Sequence, residues 1–230
     1  MRRPAAELCS PQPPMHELLT IVLATSNHGK ISELRALLAD LPVQFVSAAE
    51  VLGEQPTIVE DGATFEANAL IKARAIAKLT RTLALADDSG LEVDALGGRP
   101  GVRSARFAHE RATDAENNAA LLRELENIEE DARGARFRCV LALVNPWHES
   151  QVHVAAGSCE GSIARASRGN GGFGYDPLFV VAGHDGKAMA ELSEDEKNRV
   201  SHRARAVQAL RAILVELVNA RLDEAERIAG

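Results

Sequence analysis

Asp87 and Asp88 follow the apolar run Thr82–Ala86 directly. Two carboxylates side by side after a buried strand repel one another unless something positive shares the site. A divalent cation is one such partner. Mg²⁺ usually takes one or two carboxylates and fills its remaining positions with water and phosphate oxygens, so Glu60 with Asp87 or Asp88 is a sufficient protein contribution. Asp61 and Glu66 are better explained as acids that compensate a helix start.

Three further segments supply groups suited to an anionic ligand. Thr25-Ser26-Asn27-His28-Gly29-Lys30 lies between a strand and a helix, where unpaired N–H groups and the positive end of the helix dipole favour an anion. The spacing is not that of a Walker A loop. Gly169–Pro177 is rich in glycine and carries two of the eight aromatic residues of the chain, Phe173 and Tyr175, followed by Asp176. With Gly174, it brings backbone and an aromatic face close to a ligand, a combination suited to a base. Lys197, His202 and Arg203 supply cations and donors for phosphate or a base carbonyl. On one straight helix Lys197 and Arg203 would diverge, so either they fan around a ligand or a helix begins between them. Taken alone, each segment also has a structural explanation: an ordinary capped turn, an aromatic loop anchor, a solvated basic face. No Ser/His/Asp or Cys/His nucleophile is evident, which leaves metal-assisted attack by water as the simpler chemistry.

The elements that must position these groups read as a mixed α/β pattern. Ile21–Thr25 is a short β-branched strand. A helical pattern follows through Ile31, Leu34, Leu38 and Leu41, and then a second strand at Val43–Ala48. Phe65, Ala69, Ala73 and Ile76 mark a helix with Thr64 as its N-cap. Capping-box spacings at Thr113/Glu116 and Ser193/Glu196 open two more helical regions. Between them, Arg136–Val144 and Gln151–Gly157 form two antiparallel strands about a turn near Asn145-Pro146-Trp147-His148. A central sheet with helices around it accommodates this order. Residues 1–14 hold four prolines and read as a disordered extension, leaving 15–230 as a single domain.

Composition narrows the function classes. With 46% apolar and 26% charged residues the chain is globular in type, and the apolar run Cys139–Val144 is far too short to span a bilayer. A formal net charge of −7 disfavours binding to nucleic acid through many phosphates. Cys9, Cys139 and Cys159 form no CxxC pair, which argues against a disulfide framework or a zinc site, and Cys139 reads as a buried thiol. Arg2 and Arg3 run into Pro4 rather than an apolar segment, so no signal peptide is expected and cytoplasmic residence is.

Taken in order, these segments closely resemble the inosine triphosphate pyrophosphatase family. The resemblance includes Thr25 to Lys30, Glu60 with Thr64-Phe65, Asn68-Ala69 with Lys72-Ala73-Arg74, and Ala86-Asp87-Asp88-Ser89-Gly90-Leu91. It continues through Gly97–Val102, Ser104-Ala105-Arg106, Gly171–Pro177 and Ser201-His202-Arg203, and covers roughly residues 19–217. Ser26 departs from the glycine of many relatives, a mild change that keeps Asn27 and Lys30. The resemblance implies an elongated, two-lobed α/β fold with a central mixed sheet and a cleft, usually in a homodimer. It implies Mg²⁺-dependent hydrolysis of ITP, dITP and XTP to a monophosphate and pyrophosphate. By the same resemblance Asp88 is the general base, and Glu60 and Asp88 are metal ligands supported by Asp87. Thr25, Ser26, Asn27, His28, Gly29, Lys30, Lys72, Ser89, Phe173, Gly174, Tyr175, Asp176, Lys197, His202 and Arg203 are substrate contacts. A related enzyme for modified pyrimidine or methylated nucleotides, or a nucleotide-binding module without catalysis, remains the alternative.

Overall fold

The computed structural model describes residues 18–147 and 151–229. The expected extension at 1–14 and His148 of the strand-connecting turn lie outside them. Six strands form one mixed sheet in the order β2-β1-β3-β4-β5-β6. β1 (Leu19–Leu23) runs parallel to both β2 (Val43–Ser47) and β3 (Leu83–Val93). β4 (Gly134–Val144), β5 (Val152–Ile163) and β6 (Phe179–Val181) continue it antiparallel.

Helices cover both faces of the sheet, and a short one, α2 (Ala48–Leu52), follows β2. α3 (Phe65–Thr80) buries Phe65, Ala69, Ala73 and Ile76, the stripe expected at helical spacing, and Thr64 caps it by accepting the Ala67 N–H at 3.1 Å. Its apolar partners include Val22, Ala84, Ala86, Val140 and Ala142. The other face carries α1 (His28–Leu37) and α6 (His202–Ala229), whose Ala206, Val207, Leu210 and Leu214 pack with Leu34, Leu85, Cys139 and Leu141. Side chains alternate between faces along a strand, so Ala84 and Ala86 turn to α3 while Leu83 and Leu85 turn to α6.

A further apolar cluster, around Leu91, Leu121 of α4 (Asp114–Glu124), Phe137, Phe179 and Leu178, builds a second lobe. The long strands β3, β4 and β5 run through both lobes, and the cleft opens where short β1 ends. Gly157 sets the closeness of α6 to the sheet. A Cβ there would lie 2.3 Å from the His202 carbonyl and 2.4 Å from the Ala206 nitrogen, both backbone atoms that have no room to yield.

Several expectations change, beginning with β1, which closes at Leu23 rather than Thr25, and β5, which runs on to Ile163. The strand expected to end at Ala86 instead continues through Asp87-Asp88-Ser89-Gly90 to Val93, because β4 pairs with it in register from Ala84↔Val144 to Val93↔Ala135. The acids are therefore mid-strand rather than beyond a strand end. The Ser193/Glu196 capping box opens only a short helix, α5 (Glu194–Val200). The extended Ser201 (ψ 154°) then breaks the chain before α6. Of the two alternatives for Lys197 and Arg203, a helix start between them is the one adopted.

Candidate active site

Because β1 stops at Leu23, β3 has a free edge over its second half. The Leu85 carbonyl still accepts the Ala24 N–H at 2.9 Å. Farther along, the Leu91 N–H donates to Ser104 Oγ at 2.9 Å and the Val93 N–H to the Arg99 carbonyl at 3.2 Å. Main-chain groups two residues apart on a strand point the same way, so those of Asp87 and Ser89 face the same edge. No bond among the described residues closes that interval. Functional side chains gather on both sides of it.

On the α3 side stands Asp88. Its Oδ1 accepts from Lys72 Nζ at 2.7 Å, and the same ammonium donates to Glu60 Oε2 at 2.8 Å. Glu60 comes from the irregular segment before α3 and Lys72 from the buried stripe of α3 itself, so one lysine joins two carboxylates from separate parts of the chain. Burial raises the Asp88 pKa above the ordinary carboxylate value, Lys72 opposes that rise, and Glu60 adds to it. Burial likewise disfavours the Lys72 cation, but Asp88 and Glu60 outweigh it and raise its pKa.

On the α6 side stands Asp87, fully buried. Its Oδ1 meets Lys30 Nζ at 2.5 Å and accepts from Ser89 Oγ at 2.9 Å. Its Oδ2 accepts from Arg203 Nε at 2.7 Å and from the Cys139 thiol at 3.2 Å. Burial alone would raise its pKa, yet Arg203 and Lys30 hold it well below the ordinary range. The resemblance places Asp87 beside the metal ligands, and the structure gives it these four partners on the α6 side. Strand alternation turns it to the opposite face from Asp88, and four donors occupy its two oxygens. Its charge serves as the counter-ion of Lys30 and Arg203.

That pairing begins a ladder of alternating charge. Arg203 also pairs with Glu33, Glu33 with Lys197 at 2.5 Å, and Lys197 with Asp176 at 2.8 Å. Glu33 was not foreseen. It lies one helical turn beyond Lys30, a spacing that puts both on one face of α1, and that was the available signal. Asp176 is pushed up by burial while Lys197 pulls it down; the Lys197 cation survives burial because Asp176 and Glu33 raise its pKa.

Beside the ladder is a cavity of about 120 Å³ lined by Asn27, Lys30, Ser89, Ser104, Phe173, Tyr175 and His202 among others. His202 is buried, stacked on Phe137 with centroids 4.8 Å apart, and held neutral chiefly by burial, with Arg203 adding to the effect. Its Nδ1 has no partner among the described residues. The glycine loop is tied in from two sides: Tyr175 Oη donates to the Ser104 carbonyl at 2.8 Å, and the Gly174 N–H donates to Asp114 Oδ2 at 2.7 Å. Phe173 rests on Gly29, where a Cβ would approach its ring to 2.6 Å, and Lys197 Nζ lies 4.9 Å from the ring centroid. Asn27 caps α1 through the Lys30 N–H at 3.1 Å and Thr25 accepts the Asn27 N–H, while Ser26 and His28 are exposed. A larger groove of about 560 Å³, lined by Arg74, Lys78, Arg81 and Trp147, lies away from all of these carboxylates.

The Ham1 family sequence profile matches residues 21–213, nearly the whole described chain. The chain belongs to the Ham1 family. Among its relatives, a dITP/XTP pyrophosphatase of Desulforamulus reducens is 51% identical over 199 residues, covering 86% of this chain and 97% of that protein. The dITP/XTP pyrophosphatase of Bacillus subtilis is 48% identical, covering 84% and 96%. The solved Ham1 protein of Coxiella burnetii superposes with a TM-score of 0.78 at 45% identity, covering 86% of this chain and all of that one. The Ham1 fold thus extends over the sheet, both lobes and the cleft. No helix among the described residues is long and apolar enough to cross a membrane.

Proposed function

We propose that this Ham1 protein hydrolyses non-standard purine nucleoside triphosphates (ITP, dITP and XTP) to the monophosphate and pyrophosphate, with Mg²⁺. The observation that carries the reading is the meeting of Glu60 and Asp88 at Lys72 across a free strand edge from the Lys30–Phe173–His202 cavity. The names of relatives half identical to the chain support the substrate class.

The donor set fits the ion. No group of three or more metal-ligating side chains exists among the described residues, and a pair of carboxylates is what Mg²⁺ needs when substrate phosphates and water complete its shell. Glu60 and Asp88 would hold it, and when bound it supplies charge that stabilises phosphoryl transfer. The chain's own residues do the rest. Lys30 and Lys197 bind phosphate oxygens, and the Asp87 and Ser89 N–H groups at the open edge are further donors. Asp88 takes a proton from the attacking water as its oxygen bonds to the α-phosphorus. The bond to the bridging oxygen breaks, and pyrophosphate departs with the electron pair.

Selectivity rests on polar matching. ITP and XTP carry a carbonyl where adenosine carries an amino group. A neutral His202 has one ring N–H to give, and Arg203 and loop N–H groups add donors. A site whose donors go unmet can reject the wrong base by roughly 10⁴. Guanosine must be refused at its 2-amino group. Turnover of ITP, XTP, GTP, ATP and dUTP with pyrophosphate detection tests the reading: ITP and XTP should lead, and equal rates on GTP would overturn it.

Lys72 gives a pH test. It pulls the Asp88 pKa down against burial, so Lys72→Met lets that pKa rise. The base must be ionised, so activity is lost as pH falls through its pKa. The acid limb of kcat/KM should therefore move to higher pH in Lys72→Met, and an unmoved limb would dissociate Asp88 from that titration.

A homodimer and cytoplasmic residence belong to the same proposal. The face of β5 on the α3 side, with Val154 and Ala156 exposed, is left uncovered by the helices among the described residues and is the surface we assign to a second copy.

A further inference from the structure

We propose that Arg106 is a catalytic residue that binds the departing pyrophosphate, an inference that rests on the pyrophosphohydrolase reading above. Nearly every other cation at the site is matched in advance. Lys30, Lys72, Lys197 and Arg203 each bond a carboxylate at 2.8 Å or closer. On the Asp88 side a single ammonium stands between two carboxylates, so even with a divalent ion bound little positive charge is left for a leaving group of several negative charges.

Arg106 is the cation held loosely at that end. It closes the 3₁₀ turn Gly101–Arg106, which Gly90 admits against β3: a Cβ on Gly90 would meet Ser104 Oγ at 2.4 Å and the Gly101 carbonyl at 2.6 Å. Ser104 and Ala105 line the cavity, and the next residue reaches past the strand edge to the other side. There Arg106 Nη2 donates to the Glu60 main-chain carbonyl at 3.4 Å, a long bond. Its nearest carboxylate is Glu110, 3.8 Å from Nε, and Glu110 is already taken by Arg103 at 2.7 Å. The side chain remains 31% exposed. A planar guanidinium with unused donors, beside a proposed metal ligand and partly exposed, suits the paired oxygens of a terminal phosphate.

The Arg106–Glu60 bond has a competing meaning, that Arg106 only seats the segment carrying Glu60. Calorimetric titration of wild type, R106Q and R106K with magnesium pyrophosphate, with inosine monophosphate as comparison, separates the two. Charge-assisted hydrogen bonds of this kind change affinity by about tenfold or more. R106Q should weaken pyrophosphate by about that factor with monophosphate affinity and thermal stability unchanged, and R106K should recover part of it. Unchanged pyrophosphate affinity in R106Q, or a higher Mg²⁺ requirement without a pyrophosphate effect, overturns the assignment to Arg106 alone. If wild type releases orthophosphate rather than pyrophosphate from ITP, the parent reading fails and this inference falls with it.

Discussion

Asp88→Asn is expected to lower kcat/KM on ITP by about 10³-fold, within the range usual for a lost general base, and to leave the protein folded. The stability half follows from the sign of the shift. Burial raises the Asp88 pKa in the folded state, so the folded protein binds this proton more tightly than the unfolded chain does. The ionised side chain therefore costs stability above the unfolded pKa. Asparagine resembles the protonated acid, but it also takes from buried Lys72 one of its two carboxylate partners, so the two effects oppose and the melting temperature should stay close to that of wild type. Near-normal turnover would remove Asp88 from the base role; a large fall in melting temperature would contradict the electrostatics.

The neighbouring substitution should do the reverse. Asp87→Asn removes a fully buried charge that answers Arg203 and Lys30 and accepts from Ser89 and Cys139. Breaking one side of a buried ion pair costs about 3–5 kcal/mol because the partner charge stays behind. For a chain of this size that is a drop of roughly 10 °C in melting temperature. The Asp87 pKa is depressed in the fold, so its contribution is full above the unfolded carboxylate pKa and fades as pH falls toward the folded one. The gap in melting temperature between wild type and Asp87→Asn should accordingly narrow in acid. A gap independent of pH would mean that the variant fails through packing instead.

That two adjacent aspartates face opposite sides of the sheet and meet different partners shows how far the sequence could be read. Thr64 and the Phe65–Ala69–Ala73–Ile76 stripe are local features, and α3 formed on them as expected. The capping boxes at Thr113 and Ser193 also formed. The pairing of β4 with β5 was expected from two strands about a turn, though β5 runs on to Ile163 past its expected end. Local propensity failed at Asp87-Asp88, which look like a strand terminus because acids are poor strand formers. Distant partners that no local pattern shows, Arg203 and Lys30 for one and Lys72 for the other, keep both within the ladder. Glu33 and Cys139 entered the site by the same route. Cys139 reaches Asp87 from the neighbouring strand only because β3 and β4 pair in one particular register. The resemblance named Asp87 and Asp88 together, and only alternation along β3 assigns each to its own face.

The interval on β3 between the Ala24 contact and the Ser104 contact has one more implication. Unpaired strand edges are templates on which foreign chains add and aggregates grow. This one is fenced at both ends by bonds to Leu85 and Leu91, while a typical strand needs five or six residues to add on. What remains is short enough to turn away another polypeptide and long enough for a chain of phosphates, so the molecule keeps its reactive opening without becoming adhesive.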